Sequence, residues 1–286
     1  MSNHTIRPQA LIFTLFGDYV HARGGRIWIG SLVQLLSLFG VSEQAVRTTV
    51  SRMTRSGWLA NQRVGSASFY VLTPKAQNML DAGAARIFQP PTEPAPWDHC
   101  WHMVTYSIPE TQRKARDIFR LELTWRGFGM LTNTVWLSAH RQQAEITELV
   151  TRLHIAPYVQ MFQAKLEGFR SEQEMVARCW DLQSINTGYG EFIAKHRTLF
   201  DDCQGRLRAG AALNNAECFV RRFNLTHDYR RFPFRDPHLP RELLPANWRG
   251  GEAANLFREF HRLLAEPANQ YFDSVYTMAS HKGNHS

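Results

Sequence analysis

The sequence predicts an α+β protein with an N-terminal winged helix-turn-helix, a ferredoxin-like βαββαβ middle domain and an all-helical C-terminal domain. Three observations lead to this expectation. Short amphipathic helices followed by a β-hairpin begin the chain, a strand–helix–strand–strand–helix–strand order fills its middle, and helical periodicity dominates the remainder. The expected domains span residues 1–89, 97–170 and 171–286, and a stiff Pro-rich linker, residues 90–96, follows the first of them.

The N-terminal domain is predicted from helix and hairpin signals. Pro8 is tolerated near the start of a first helix, and Ser31 is placed to cap a second helix because its side chain can accept from a backbone N–H. Thr73 and Pro74 are residue types that begin helices, and Gly65 lies in the loop between two predicted strands. The expected elements are helices at 8–20, 32–39 and 75–88, a β-prone run at 27–29, and strands at 58–60 and 68–72.

The segment from Val41 to Trp58 predicts the helix around which this domain is organised. Ser42 is placed to cap it and Gly57 to end it. Apolar residues recur at spacings of four and three and form one stripe for the core: Val46, Val50 and Met53. The opposite face carries guanidinium and hydroxyl groups: Arg47, Thr48, Ser51, Arg52 and Arg55, with Thr54 at its margin. Glu43 in the first turn is the only carboxylate nearby, whereas an ordinary solvated face mixes both signs of charge.

Positive charge is concentrated in the same region. The chain has a net charge of +8, and residues 1–90 hold nine basic and three acidic side chains. This distribution indicates a polyanionic partner for the N-terminal domain. In a winged helix the second helix of the motif enters the major groove, and Arg63 at the wing can reach a neighbouring phosphate or the minor groove. The predicted contacts with double-stranded DNA are Ser42, Arg47, Thr48, Ser51, Arg52, Arg55 and Arg63. The alternative is a winged-helix core that makes only protein contacts.

The middle and C-terminal elements are predicted from alternation and helical periodicity. In the middle domain we expect strands at 97–107, 127–131, 134–138 and 158–166, and helices at 111–125 and 141–154. The C-terminal helices are expected at 174–185, 189–200, 207–225 and 253–276. The loop 229–251 contains four prolines and five arginines, so it cannot be one helix.

Cysteine usage and hydropathy predict a soluble cytoplasmic protein. The four cysteines include no C-x-x-C pair, which favours reduced thiols. The first apolar run, Ala10–Phe16, is too short to span a membrane, and no other run approaches the required length of about 18–20 residues. No membrane association is expected.

Two parts of the chain resemble the PaaX-like repressors of phenylacetic acid degradation. The first is the run from Leu11 to Leu72, with the pieces FGDYV, RGGRIWIGSL, AVRTTVSRM, GWL and SFYVL. The second is the later loop, with YRR at Tyr229–Arg231 and DPHLPRELLPANWRG at Asp236–Gly250. The resemblance extends from about Leu11 to about Val275. It implies a homodimeric repressor that binds a palindromic operator and is released by an aryl-acetyl-CoA thioester, usually phenylacetyl-CoA.

The middle domain resembles the ferredoxin-like CRISPR-associated nucleases, a fold that PaaX-like proteins share. Those nucleases keep an aspartate at the end of the first strand, where two copies in a dimer can hold a metal. In this chain Ser107 occupies that place. Because a hydroxyl alone does not hold a divalent cation at neutral pH, we interpret the domain as a dimerisation or relay module.

A CoA thioester needs guanidinium groups for its phosphates and an apolar slot for its aryl group. The candidate effector-binding residues are Arg221, Arg222, Tyr229, Arg230, Arg231, Trp180, Tyr189 and Trp248. Arg235 and Phe192 are further possibilities. In the alternative interpretation these side chains have only a structural role in packing, and the arginines form ion pairs with Asp228, Asp236 and Glu242.

No cofactor, metal or catalytic residue is expected. Cys100 and His102 share one face of a predicted strand, but two ligands fall short of the four in a structural zinc site. His227 and Asp228 lack an accompanying nucleophile or phosphate-binding motif, so the protein is not expected to be an enzyme. Two other functions stay open: a nucleic-acid-processing nuclease that uses the middle domain, and a constitutive DNA-binding protein without a small-molecule effector.

Overall fold

The computed structural model describes residues 7–88 and 97–282, with side chains to residue 276, and it has a mixed α+β fold that is mostly helical. The predicted linker, 90–96, lies outside the described residues. The helices and strands, in chain order, are α1 Pro8–Leu15, β1 Arg26–Trp28, α2 Ile29–Ser37, α3 Glu43–Arg55, β2 Leu59–Val64, β3 Ala67–Leu72, α4 Pro74–Phe88, β4 Trp101–Tyr106, α5 Arg113–Trp125, β5 Gly129–Thr132, β6 Val135–Ser138, α6 Gln143–Arg152, β7 Val159–Ala164, α7 Glu172–Cys179, α8 Leu182–Arg208, α9 Asn215–Tyr229, α10 Gly250–Leu263 and α11 Ala265–Lys282.

The chain forms two compact units, and each is assembled from separate segments. The first unit comprises Met1–Pro90, Phe192–Arg230 and Glu252–Ser286. The second unit comprises Pro91–Glu191 and Arg231–Gly251. The division into three contiguous domains stays a prediction.

A three-stranded antiparallel sheet with the order β1-β3-β2 lies in the first unit. In the hairpin of β2 and β3, Val64 pairs with Ala67, so the predicted seven-residue loop is a two-residue turn. Gly65 begins this turn with a φ of +58°, a conformation that glycine adopts without a steric penalty. The strands are therefore longer than predicted, and β2 carries basic and polar side chains out to the turn.

The core of the first unit combines N-terminal and C-terminal residues. Tyr19 is fully buried, and its ring centroid lies 5.0 Å from that of Phe272 and 5.1 Å from that of Phe219. Ser31 is also buried and donates its hydroxyl to the carbonyl of Val275 at 2.8 Å. The prediction that Ser31 caps α2 is wrong, because β1 runs directly into a helix that begins at Ile29 and turns Ser31 inward.

The second unit contains a four-stranded antiparallel sheet with the order β5-β6-β4-β7. Helices α5 and α6 contribute Phe119, Leu123 and Ile146 to its core. Strands β4 and β6 contribute Val104 and Trp136. Along β4, the alternate residues Val104 and Tyr106 are buried in this core, as expected for side chains on one face of a strand.

The helical pattern after residue 171 differs from the prediction at three places. The single helix predicted at 253–276 is wrong, because the chain turns at Leu264 and forms two helices, α10 and α11. The chain leaves helix α7 at Trp180, and α8 then runs unbroken for 27 residues. The helix predicted at 207–225 is wrong, because α8 ends at Arg208, Gly210 has a φ of +74°, and α9 begins at Asn215. Within the described residues, every helix is too short or too polar to cross a membrane.

Candidate functional site

Helix α3 has the cap and the buried stripe that its sequence predicts. Ser42 is its N-cap, and the side chain accepts from the backbone N–H of Ala45 at 3.3 Å. Val46, Val50 and Met53 are at most 1% exposed. Burial of this stripe fixes the rotation of the helix, so the basic face is presented to solvent.

The five predicted contacts on the opposite face of α3 are all exposed: Arg47, Thr48, Ser51, Arg52 and Arg55. Arg47 donates to Glu43 with an Nε–Oε1 distance of 2.7 Å, so its charge is partly neutralised. The guanidinium group of Arg52 donates from Nη2 to the Thr49 hydroxyl at 3.5 Å. Across residues 7–88 and 97–276, neither Arg52 nor Arg55 lies within ion-pair distance of a carboxylate. These two guanidinium groups are therefore available to an external anion.

Arg63 lies in β2 opposite Ser68, one pair before the end of the hairpin. Its side chain is exposed. Arg63 also has no carboxylate partner among the described side chains. A long cation at the tip of a two-stranded projection is well placed to contact a phosphate. The structure thus places all seven predicted DNA contacts in the first unit, six on α3 or its cap and one on the hairpin.

A buried ionic cluster lies within the same unit. The Asp18 carboxylate is 3% exposed and lies 3.1 Å from both Arg222 Nη2 and His261 Nε2. It also accepts from the Thr226 hydroxyl at 2.9 Å. Burial would raise the pKa of Asp18, but the hydrogen bond with His261, the charge of Arg222 and the other partners hold that pKa below its usual value.

Three of the effector candidates in the first unit already have internal partners. Arg222 is 7% exposed and paired with Asp18. Arg221 donates to Glu217 and lies 3.2 Å from Asp202. Tyr229 is 5% exposed and stacks on Phe257 with a centroid distance of 4.1 Å. The fourth, Arg230, is half-buried, and desolvation lowers the pKa of its guanidinium group. These contacts support the packing interpretation for Arg221, Arg222 and Tyr229. The predicted acidic partners of the two arginines are wrong, because Arg221 pairs with Glu217 and Asp202 and Arg222 pairs with Asp18.

The other four candidates lie in the second unit, and three of them also have internal contacts. Trp180 donates from Nε1 to the Gly127 carbonyl at 3.0 Å. Tyr189 donates its hydroxyl to Asp236 at 2.7 Å, and its ring centroid lies 5.6 Å from that of Trp248. Arg231 differs, because its guanidinium group is exposed and stacks over the Phe232 ring at 5.1 Å. The eight candidates are thus divided equally between the two units.

Arg231 lines a cavity of about 390 Å³ in the second unit. Arg235 and Phe232 line the same cavity, and the carboxylates of Asp181 and Glu191 add negative charge to it. This volume is near the lower end of the range for small-molecule sites, about 300–1,000 Å³. The cavity thus combines the guanidinium groups of Arg231 and Arg235 with the ring of Phe232. Guanidinium and aromatic groups are the residue types that the sequence analysis expected at an effector site.

Asp98 is a polar group that the sequence interpretation overlooked. Its carboxylate lies with the thiol of Cys100 and the imidazole of His102, and the ligand atoms of all three are within 4.8 Å of one another. Strand alternation does not indicate this third member, because the chain bends at His99 and β4 begins only at Trp101.

Comparisons with known proteins give consistent results along the chain. Residues 7–76 match a family described as PaaX-like protein, residues 94–176 match the PaaX protein central Cas2-like domain, and residues 180–274 match the PaaX-like protein C-terminal domain. Transcriptional repressor PaaX of Escherichia coli (strain K12) is 33% identical over 266 residues, which cover 92% of this chain and 82% of the relative. A solved structure, uncharacterized protein Rv0674 from Mycobacterium tuberculosis, has a TM-score of 0.58 at 21% identity and covers 91% of this chain and 96% of its own. That last likeness concerns the fold alone.

Proposed function

The chain belongs to the PaaX-like protein family, and from this premise we propose that it is a cytoplasmic transcriptional repressor of a phenylacetate-type catabolic operon. It acts as a regulator and not as an enzyme. The observation that carries the DNA-binding part of this proposal is the exposed basic face of α3. Its Arg52 and Arg55 have no carboxylate partner among the described side chains.

In this proposal α2, α3 and the β1-β3-β2 sheet act as a winged helix-turn-helix. Helix α3 enters the major groove, which is about 12 Å wide, and its exposed side chains face the base edges. Arg63 on the hairpin contacts the phosphate backbone or the minor groove. The capped and rigidly packed α3 supports this proposal because base contacts require a fixed side-chain direction.

We further propose that the β4–β7 sheet with α5 and α6 is a ferredoxin-like module. The strand order β5-β6-β4-β7 supports it, because the second and third strands of the module form a hairpin and the first and fourth strands pair beside it. In a homodimer, two copies of α3 would bind half-sites about 34 Å apart on one face of a palindromic operator.

The proposed effector is an aryl-acetyl-CoA thioester such as phenylacetyl-CoA. The cavity beside Arg231 and Arg235 supports an anionic ligand with an aromatic part, and its size suits one end of such a molecule and not the whole. The effector must bind more tightly to a state that does not fit the operator, because a ligand with equal affinity for both states shifts no equilibrium.

The experiment that tests DNA recognition compares two arginine variants. Double-stranded sites are first selected from a random pool with the wild-type protein, and binding is then measured at one fixed salt concentration. Arg52→Ala should weaken binding by about 1–3 kcal/mol, the cost of a lost bidentate base contact. Arg170→Ala removes the same charge from an exposed position in the second unit and should bind like the wild type. Equal affinities for Arg52→Ala and wild type would show that α3 does not read the bases.

A further inference from the structure

The segment 98–102, which includes the first two residues of β4, carries three side chains of types that can bind metals. Asp98 is exposed, and Cys100 and His102 are half-buried. One ligand atom from each lies within 4.8 Å of the other two. Across residues 7–88 and 97–276 this is the one such group.

The backbone fixes this arrangement. Cys100 donates its N–H to Asp98 Oδ1 at 2.9 Å, which holds the carboxylate beside the thiol. His99 between them has a φ of +57°, a conformation uncommon for residues other than glycine. His102 is held by β4, where it pairs with Ser138 on one side and Gln163 on the other. Backbone hydrogen bonds therefore fix the Asp98 carboxylate and the backbone position of His102.

We propose that Asp98, Cys100 and His102 bind one Zn²⁺ ion, with water in the fourth position. Zinc takes sulfur, nitrogen and carboxylate oxygen at about 2.0–2.3 Å in a tetrahedron, which places ligand atoms about 3.3–3.8 Å apart. Because the ligand atoms lie within 4.8 Å of one another, they need to close by at most about 1–1.5 Å to reach that spacing, which side-chain rotation can supply. Three protein ligands with one open position are an established zinc arrangement.

The ligand chemistry selects against the abundant hard cations. Mg²⁺ and Ca²⁺ prefer oxygen ligands, whereas a thiolate and an imidazole favour Zn²⁺ and its neighbours in the transition series. On binding, the thiol proton of Cys100 is released to solvent and the sulfur becomes a thiolate ligand. The carboxylate and the thiolate then balance the two charges of the ion, so the nearby guanidinium group of Arg141, which lines a groove with His102, meets a neutral site.

The test uses the untagged, reduced, full-length protein after removal of metals with a chelator. Zn²⁺ is titrated in competition with a chromophoric chelator, and Co²⁺ is added separately as a spectroscopic probe. We expect one Zn²⁺ per chain and a near-ultraviolet absorption band from Co²⁺ bound to a thiolate. Cys100→Ser should abolish that band and weaken Zn²⁺ binding by at least tenfold, since losing even an outer partner of a metal ligand costs about 10–100-fold. Cys179→Ser, a change at another half-buried thiol, should leave both unchanged.

A second variant keeps the proposal falsifiable if Cys100→Ser does not fold. Asp98 is exposed, and the amide oxygen of Asp98→Asn can still accept from the Cys100 N–H. This variant should also bind Zn²⁺ at least about tenfold more weakly than the wild type, the same minimum effect as expected for Cys100→Ser. Less than one Zn²⁺ per chain, Co²⁺ spectra without a thiolate band, or weak binding to surface histidines that neither variant changes would each overturn the proposal.

Discussion

Asp18 is a charged residue in the interior of the first unit, and its setting explains how such a group is tolerated. A carboxylate transferred from water to a low-dielectric interior loses several kcal/mol of solvation unless it is paired and hydrogen-bonded. Asp18 is paired with Arg222 and His261 and accepts from Thr226. The guanidinium group of Arg222 also stacks over the Tyr19 ring at 4.8 Å. One acidic side chain therefore fixes partners on two C-terminal helices.

Replacement of Asp18 should destabilise the protein severely. In Asp18→Ala the buried Arg222 loses its counter-charge, and breaking a buried pair in this way costs about 3–5 kcal/mol. Urea-induced unfolding followed by circular dichroism measures the change. Asp117→Ala is the control, because the Asp117 carboxylate forms an exposed 3.9 Å pair with Arg113, and its loss should change stability by less than about 0.5 kcal/mol. A loss below about 1 kcal/mol in Asp18→Ala, typical of an exposed pair, would contradict this account.

Stability should also fall in acid for an identifiable reason. The folded state holds the pKa of Asp18 and of Asp228 below the ordinary value, in spite of burial, through His261 and Arg222 for Asp18 and through His196 and Lys195 for Asp228. A depressed folded-state pKa adds stability that is fully present above the unfolded pKa of about 3.9 and is lost as the pH falls through the folded value.

The pH prediction is tested by comparing wild type with Asp18→Asn in urea unfolding from neutral pH into acid. The stability difference between the two proteins should be constant at neutral pH and should shrink below about pH 4, where Asp18 takes up a proton first in the unfolded state and, at lower pH, in the folded protein. A difference that stays constant through the acid range would mean that Asp18 does not carry a depressed pKa.

At the scale of elements, the β2–β3 hairpin contacts DNA separately from α3 in the proposed complex. Arg63→Ala should weaken binding to all DNA sequences by a similar factor, and it should reduce the slope of log affinity against log salt by about 1, the effect of one lost phosphate contact. Titrations of a selected DNA site and of an unrelated DNA sequence at several salt concentrations measure the affinity and its salt dependence. Arg170→Ala should keep the wild-type slope. If Arg63→Ala changed affinity for the selected site alone, Arg63 would be a base-reading residue.

Elements set by local signals were predictable from the sequence. Helix α3 has its cap at Ser42 and a glycine with positive φ, Gly57, just beyond its end, as predicted. Helix α8 shows why other elements were not. The sequence predicts one helix that ends at 185 and another that begins at 189, but α8 continues through both Gly188 and Gly190. An added Cβ at these two positions would come within 3.1 Å of the Phe232 ring and 2.9 Å of Arg249 Nη1. These glycines admit close neighbours from a distant loop, and no local pattern reveals that role.

The candidate sites divide in the same way. The exposed face of α3 follows from helical spacing alone, and the structure presents all of it to solvent. The effector candidates were selected by residue type, and their availability depends on partners far away in the sequence. The sequence around Arg222 does not show that this arginine is paired, because its partner Asp18 lies about 200 residues earlier in the chain. Asp98 differs again, because a bend of the backbone at His99 brings its carboxylate to Cys100, and residue spacing along a strand does not predict such a bend.

At the scale of the whole molecule, ligand binding and stability should be linked. Phenylacetyl-CoA at about 100 times its dissociation constant should raise the free energy of unfolding by about 2.7 kcal/mol. Urea unfolding with the thioester, with acetyl-CoA and with free coenzyme A separates the aryl group from the nucleotide part. Arg231→Ala should need more ligand for the same effect, whereas Arg170→Ala should behave as wild type. No stabilisation by any acyl-CoA would favour a constitutive DNA-binding protein.

The discontinuous first unit sets the order in which the protein can mature on the ribosome. Asp18 and its hydrogen-bond partner Thr226 are 208 residues apart in the chain. At a synthesis rate of about 5–20 residues per second, Asp18 is made about 10–40 s before Thr226. During that interval Tyr19 lacks Phe219 and Phe272, the aromatic partners that bury it. The segment that we propose to bind DNA is thus translated well before the helices that complete its interior, so a chain that lacks those helices cannot form the finished core beneath the basic face of α3.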